Sequence, residues 1–365
     1  MKNWQRLRET PELWTQFLVR EQVNIGIRKF FVEQGFNEVE TPLLVEHPGT
    51  EPYLEVFATT LLTDQGEKPA FLLTSPEYAM KKLIVAGLHN VFQICKSFRN
   101  AEGESGRHNP EFTMLEWYRS PGSYLDIMDD CEKLLQFLAA HILRWQQERG
   151  AKIGEGKGAE MAPLTVAYKG NCFDISSPWE RMSIAEAFQK YVGVDVETLL
   201  NEVALKKIAA QKGYQVDHTT TWEQLYNQLL LNEIEPHLGK TKPTILYDYP
   251  ASQAALSKPK KDDPRFAERF EFFIGELELG NAFSELTDAA EQEKRFQSEL
   301  AERASLGKTP YELDHDYLEA LKVGLPPTGG IAVGVDRLVM LLAGVDHLQD
   351  VTFFPVTDVF SNEEV

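Results

Sequence analysis

Three stretches of this 365-residue chain combine residue types that could do chemistry on a charged substrate. The first runs Ser97-Phe98-Arg99-Asn100-Ala101-Glu102, passes through a glycine-bearing loop, and returns as Arg107-His108-Asn109-Pro110-Glu111-Phe112. A strand that delivers an arginine, followed by a loop with further cations and then an aromatic, suits in-line attack of a carboxylate on the α-phosphate of ATP, where negative charge builds. An ordinary hairpin with a charged loop is the alternative. The second stretch is acidic, with Glu271, Glu276, Glu278 and Glu285 set among Phe270, Phe272, Phe273, Leu277 and Leu279. Carboxylates in so apolar a setting are costly to bury unless a cation compensates them, either magnesium on ATP or a ligand ammonium. In a strand, Glu276 and Glu278 share one face, with Asn281 and Glu285 beyond Gly280. The third stretch, Gly329-Gly330-Ile331-Ala332-Val333-Gly334-Val335-Asp336-Arg337, reads as a tight strand entering an apolar helix with an arginine at the junction. Its glycines admit a flat ring near the backbone, and the arginine can stack on that ring or meet phosphate.

The elements that must hold these residues follow from periodicity. Apolar residues at helical spacing predict a helix from about Glu12 to Gln34, ended by Gly35. Phe36 to Leu44 reads as a strand interrupted by Pro42, Phe71–Leu73 as a short strand, and Ser75-Pro76-Glu77 as a capped helix start. Further strands are expected at Val91–Cys95, Phe112–Tyr118, Thr244–Tyr249 and Arg269–Ile274. Helices are expected from about Tyr124 to Trp145 and Ala289 to Leu306. Strands this close in sequence favour an antiparallel sheet over a doubly wound one. Residues 146–160 read as a linker. Gly154-Glu155-Gly156-Lys157-Gly158 within it lacks the spacing of a phosphate loop. Residues 182–238 read as an inserted helical subdomain.

Composition narrows the classes. The net charge is −19 and the pI near 4.9, which argues against extensive contact with nucleic acid. No run is apolar enough to span a membrane, and the start lacks a signal core, so a cytoplasmic address is the default. Cys95, Cys131 and Cys172 have neither disulfide nor metal spacing and read as buried small hydrophobes.

Taken together, these stretches make the sequence resemble class II aminoacyl-tRNA synthetases, with the three family motifs matched in order: Phe36–Pro42 as motif 1, Phe98–Tyr118 as motif 2 and Gly330–Leu342 as motif 3. The resemblance covers nearly the whole chain. It implies an α+β class II catalytic fold, an antiparallel sheet flanked by helices with a helical insertion, forming one domain over residues 1–365 and a homodimer through motif 1. The wording Arg107–Met114 and Gly280–Leu286 is close to lysyl-tRNA synthetase. With only one helix's worth of chain before motif 1, no anticodon-binding barrel is expected. Pro76-Glu77-Tyr78 with Met80-Lys81-Lys82-Leu83, Thr113–Arg119 and Tyr249-Pro250-Ala251-Ser252-Gln253-Ala254 more closely resemble the elongation factor P–lysine ligases, stand-alone paralogues that pass lysine, preferably (R)-β-lysine, to a lysine of elongation factor P.

The resemblance implies roles for particular residues. Arg99 and Arg337 would act in catalysis, Arg99 on the α-phosphate and the substrate carboxylate. Phe112 and Arg337 would sandwich adenine, with Glu102 facing its amino group, although the family acid usually stands one position earlier, where this chain has Ala101. Arg107 and His108 would meet the outer phosphates, and Asn109 and Gly334 belong to the same ATP site. Glu271 and Glu278 would hold Mg2+. Glu77 would meet an amino group and Asn281 the carboxylate; Glu116, Tyr118 and Glu285 would surround the side-chain ammonium, with Phe283 along its methylenes. Ala332 stands where lysyl-tRNA synthetases have glycine, and one methyl there would shift which amino position fits, tilting the choice from lysine toward β-lysine. The resemblance makes tRNA an unlikely partner, and charging of tRNA through its acceptor stem is the alternative activity.

Overall fold

The computed structural model describes residues 1–101, 106, 108–149 and 164–360. Its frame is an eight-stranded sheet in the order β1-β5-β6-β13-β12-β11-β10-β9. These strands are β1 (Asn37–Glu38), β5 (Val91–Phe98), β6 (Glu111–Arg119), β9 (Glu180–Ser183), β10 (Thr244–Pro250), β11 (Phe266–Ile274), β12 (Leu277–Ser284) and β13 (Gly329–Gly334). The six central strands are antiparallel, as the sequence predicts; β1 and β9 add parallel strands at the two edges. A three-stranded sheet of β2 (Leu44–Val45), β3 (Phe57–Thr63) and β4 (Gly66–Leu72) stands apart, as does the hairpin β7 (Thr165–Tyr168) and β8 (Asn171–Asp174).

One face of the large sheet builds the main core. Helices Trp14–Glu33, Tyr124–Glu148 and Val335–Ala343 pack there, burying Phe31, Phe92, Leu115, Trp117, Leu138, Ala282, Ile331 and Val339. Gly35, at φ 77°, turns the chain out of the first of these helices into β1, a conformation costly for any side-chain-bearing residue. Val166, Tyr168 and Phe173 of the β7–β8 hairpin join the same core. On the opposite face, helices Glu77–Val85, Ala289–Ser305 and His315–Gly324 close a second cluster around Met80, Tyr118, Phe296 and Tyr317. The insertion, with helices Glu202–Gln211 and Trp222–Leu229, packs on Leu246, Tyr249 and Phe273.

Several expectations change. The segment Phe36–Leu44 is not one strand: Pro42, which cannot donate to a ladder, separates β1 in the large sheet from β2 in the small one. The reading of residues 182–238 as wholly helical misses β9, whose backbone pairs with β10. Cys172 is exposed on the hairpin, whereas Cys95 and Cys131 are buried. Glu276 occupies the β11–β12 turn at φ 68°, is exposed, and pairs with Lys240 at 2.6 Å, so it does not share a face with Glu278.

Candidate active site

Strand register gathers the predicted residues into two adjacent rows on one sheet face. Across β11, β12, β13, β6 and β5, one row reads Glu271, Asn281, Ala332, Glu116 and Gln93. The next reads Arg269, Phe283, Gly330, Tyr118 and Val91. Directly opposed residues of an antiparallel pair project to the same side, as do residues two apart along a strand, so both rows share that face. Alternate residues Leu115, Trp117, Ala282 and Ile331 go to the core. Glu278 belongs with this face through an irregularity in the ladder. Phe272 pairs with Gly280 but Phe273 with Glu278, leaving Leu279 as an extra residue, and that bulge reverses the alternation. Leu277 and Leu279 are therefore buried while Glu278 is half-exposed.

At one end of the face lie the residues predicted for ATP. The Arg99 guanidinium stands 5.2 Å from the centre of the Phe112 ring. Arg337 donates to the Glu278 carbonyl at 2.8 Å and its carboxylate at 3.2 Å, and meets His108 Nε2 at 2.7 Å. Motif 2 and motif 3 are thus joined by a cation that both flanks need. Asp336, missed in the sequence reading, fastens them again, accepting from the Thr113 amide at 2.8 Å and pairing with Arg20 at 2.5 Å. Gly334 stands at the junction of β13 and its helix, where an added β-carbon would meet only Arg337, at 3.8 Å. The Asn109 side chain is engaged by the protein itself. It donates to the Glu111 carbonyl at 2.5 Å and accepts from the Val356 amide at 3.0 Å, binding the C-terminal segment to motif 2. Glu102 and Arg107 lie outside the described residues.

Glu271 carries a restraint that spacing did not foretell. Tyr249 donates to one of its oxygens at 2.7 Å and Arg269 to the other at 2.6 Å. Arg269 also donates to Asn281 Oδ1 at 3.0 Å, so one guanidinium orients both an expected magnesium ligand and the expected carboxylate binder. Burial, opposed by Arg269 and reinforced by the charge of Glu278, raises the pKa of Glu271. Two carboxylates on neighbouring strands fit a magnesium ion carried by nucleotide phosphates, which takes one or two protein carboxylates and fills its shell with phosphate and water oxygens. The protein's hydrogen bonds leave lone pairs on both groups. Glu235 of the insertion, also unforeseen, lies within electrostatic reach of this pair, and burial together with Glu271 and Glu278 pushes its pKa to about 7.

The other end of the face is a buried acidic pocket. Glu116 accepts from Ser75 at 2.6 Å and from Tyr118 at 2.9 Å. Ser75 thereby does more than begin the helix, although its hydroxyl does accept from the Glu77 amide at 3.1 Å. Glu285 is 1 % exposed. Its compensation is a charge: Lys81, also 1 % exposed, pairs with both Glu285 and Glu77. Burial pushes the Glu116 carboxyl to about 8, with the Glu77 charge adding to it. Burial likewise pushes Glu285 to about 8, against the opposing pull of Lys81. Gly330 makes this packing possible, because a β-carbon there would lie 2.3 Å from Glu285 Oε1 and 2.4 Å from the Tyr118 ring. A cavity of about 410 Å³ adjoins the pocket at Ser75 and Glu77 and extends toward Thr41–Gly49 and Asp314–Asp316. Among the described residues no group of three or more His, Cys, Asp and Glu side chains is arranged to hold a metal, and no helix is long and apolar enough to cross a membrane.

Comparison with known proteins gives the family. Residues 2–358 match the family described as tRNA synthetases class II (D, K and N). The chain is 37 % identical over 344 residues to the elongation factor P–(R)-β-lysine ligase of Avibacterium paragallinarum, covering 93 % of this chain and 94 % of that one. It is 38 % identical to the corresponding ligase of Histophilus somni strain 2336, with the same coverage. It is also 35 % identical over 350 residues to the lysine–tRNA ligase of Moorella thermoacetica, covering 94 % of this chain but only 66 % of that enzyme. With its motifs ordered on one antiparallel sheet and its match extending over nearly all residues, the chain belongs to the class II tRNA synthetase family.

Proposed function

We propose that the protein is an ATP-dependent, AMP-forming ligase that activates lysine or (R)-β-lysine and transfers it to a lysine side chain of elongation factor P. The observation that carries this reading is the buried pair of carboxylates Glu285 and Glu116 beside Tyr118, of which Glu285 already holds one ammonium, that of Lys81. An ammonium-bearing side chain meets such carboxylates with charged donors, and a neutral analogue would leave them unmatched.

In the first step a carboxylate oxygen of the amino acid attacks the α-phosphorus, the bond to the bridging oxygen breaks, and pyrophosphate leaves. Arg99 supplies positive charge at that phosphate, while Phe112 and Arg337 hold adenine between them. His108 and Arg107 meet the outer phosphates, and Glu102 and Gly334 belong to the adenosine side. Glu271 and Glu278 would hold Mg2+, which neutralises phosphate charge. Asn281, fixed by Arg269, holds the reacting carboxylate, Glu77 an amino group, and Phe283 lines the methylenes. In the second step the acceptor's neutral ε-amine attacks the acyl carbon, AMP leaves, and the amine proton passes to solvent. Proximity and electrostatics carry most of the rate, and little acid–base help is needed.

The near full-length correspondence with two elongation factor P ligases supports a protein acceptor. The lysine–tRNA ligase relatives favour a second reading, tRNA charged through its acceptor stem. Leu43 and Leu44 expose apolar side chains beside Pro42, which suits a homodimer through motif 1. Purified protein incubated with ATP and radiolabelled β-lysine or lysine should label elongation factor P and not total tRNA. Labelled tRNA with unlabelled elongation factor P would establish the alternative.

A further inference from the structure

The chain places its own ammonium in the acidic pocket. Lys81 lies on helix Glu77–Val85, four residues after Glu77, and pairs with that residue and with Glu285. A Glu–Lys pair at this spacing is ordinarily a solvated surface feature. Here the lysine is 1 % exposed, and its nitrogen lies 5.3 Å from the centre of the Phe283 ring and 6.0 Å from those of Tyr118 and Tyr317. Carboxylates and aromatic faces converging on one buried nitrogen form an ammonium cage. The groups facing it are Glu77 from its own helix, Glu116 and Tyr118 from β6, Glu285 beyond β12, and Tyr317 from helix His315–Gly324. Farther out, burial and the charge of Glu77 raise the pKa of Glu51.

We propose that Lys81 is a specificity-determining residue that sets how many substrate ammonium groups the pocket accepts: it stays anchored on Glu77 and yields Glu285 to the incoming one. Glu77 and Lys81 share a helix, so their pairing survives a small side-chain movement. Glu285 meets the Lys81 ammonium, so an incoming ammonium replaces one charged donor on it by another. With all three of Glu77, Glu116 and Glu285 ionised, as bound ammonium groups favour, the one ammonium of Lys81 leaves two negative charges, the complement of the two amino groups of a diamino acid. Removing the Lys81 charge raises the proton affinity of the remaining carboxylates, so at neutral pH a proton competes with the incoming ammonium groups for them. Burial already raises Glu116 and Glu285, so the shift is in the same direction.

The inference rests on the pocket being an amino-acid site. Its test is ATP–pyrophosphate exchange with lysine and β-lysine from pH 7 to pH 9, using wild type, K81M, K81R and the double variant E77Q/K81M. Expected is a KM for the diamino acid raised roughly tenfold or more in K81M at pH 7, as for one unit of pKa, with the penalty shrinking toward pH 9. K81R keeps the wild-type pH profile. The double variant, which removes one carboxylate with the ammonium, also keeps the wild-type profile even if its KM rises; this arm decides the matter should K81M not fold. A K81M penalty that is absent or equal at every pH overturns the inference, as does a shifted profile in the double variant. Wild-type protein that exchanges with no diamino acid defeats the amino-acid reading itself, a result distinct from normal exchange with an unshifted variant.

Discussion

Gly330 and Glu285 are so close that a β-carbon on the glycine would stand 2.3 Å from the carboxylate oxygen. Phe283 and Tyr118 flank Gly330 in the ladder, so neither backbone nor ring can retreat freely. G330A should therefore lower stability by about 1–3 kcal/mol, the range for overpacking a filled site. It should also raise the KM for the amino acid while leaving that for ATP near wild type. Denaturant titration and exchange kinetics check both halves.

Replacing Glu285 by glutamine keeps its shape and removes its charge. A hydrogen bond to a charged group contributes about 1.5–3 kcal/mol, so E285Q should raise the KM for lysine or β-lysine roughly 10- to 150-fold. Lys81 retains Glu77, which limits damage to the fold. A fold-intact variant with unchanged KM would remove Glu285 from the pocket's binding role.

Ala332 lies between Asn281 and Glu116 in one row of the sheet, so its methyl stands between the proposed carboxylate binder and the proposed ammonium binder. A332G should shift the ratio of kcat/KM for β-lysine over lysine toward lysine. A single methyl limits the change to about 1–3 kcal/mol. The ratio measured by pyrophosphate exchange for both amino acids is the check, and an unchanged ratio would make the methyl neutral.

Glu116 and Glu285 have pKa values raised from 4.5 to about 8 by burial. A carboxyl raised on folding binds more protons folded than unfolded. Its contribution to stability is therefore full below about pH 4.5 and lost as pH rises through 8. An ammonium ligand prefers the ionised carboxylates, so the thermal shift produced by lysine or β-lysine should grow from pH 6 to pH 8.5. Melting curves with and without ligand test the sign, and a shift that shrinks over that interval contradicts it.

What the sequence revealed and what it hid have separate physical causes. Glu271, Glu278 and Glu285 stood out because carboxylates among apolar neighbours are costly and so signal a partner, whereas Glu116 came in only through the family resemblance. Lys81 did not stand out, because a lysine four residues after a glutamate on a helix has the same pattern whether solvated or buried; only the packing of Tyr317 and Phe283 around it decides. The placement of Glu276 failed because strict alternation cannot foresee the extra residue at Leu279. Arg269 was hidden because its partners Glu271 and Asn281 come together only across the β11–β12 ladder. The edge strand β9 was hidden because four residues hold too little period to distinguish a strand from a helix start.

The central claim is that the pocket selects a side chain bearing an ammonium. The most direct test is ATP–pyrophosphate exchange by the wild-type protein with lysine, (R)-β-lysine and norleucine, the last retaining the straight aliphatic chain without its terminal amine. Exchange with one or both diamino acids and none above background with norleucine is the predicted result; comparable exchange with norleucine would contradict the account.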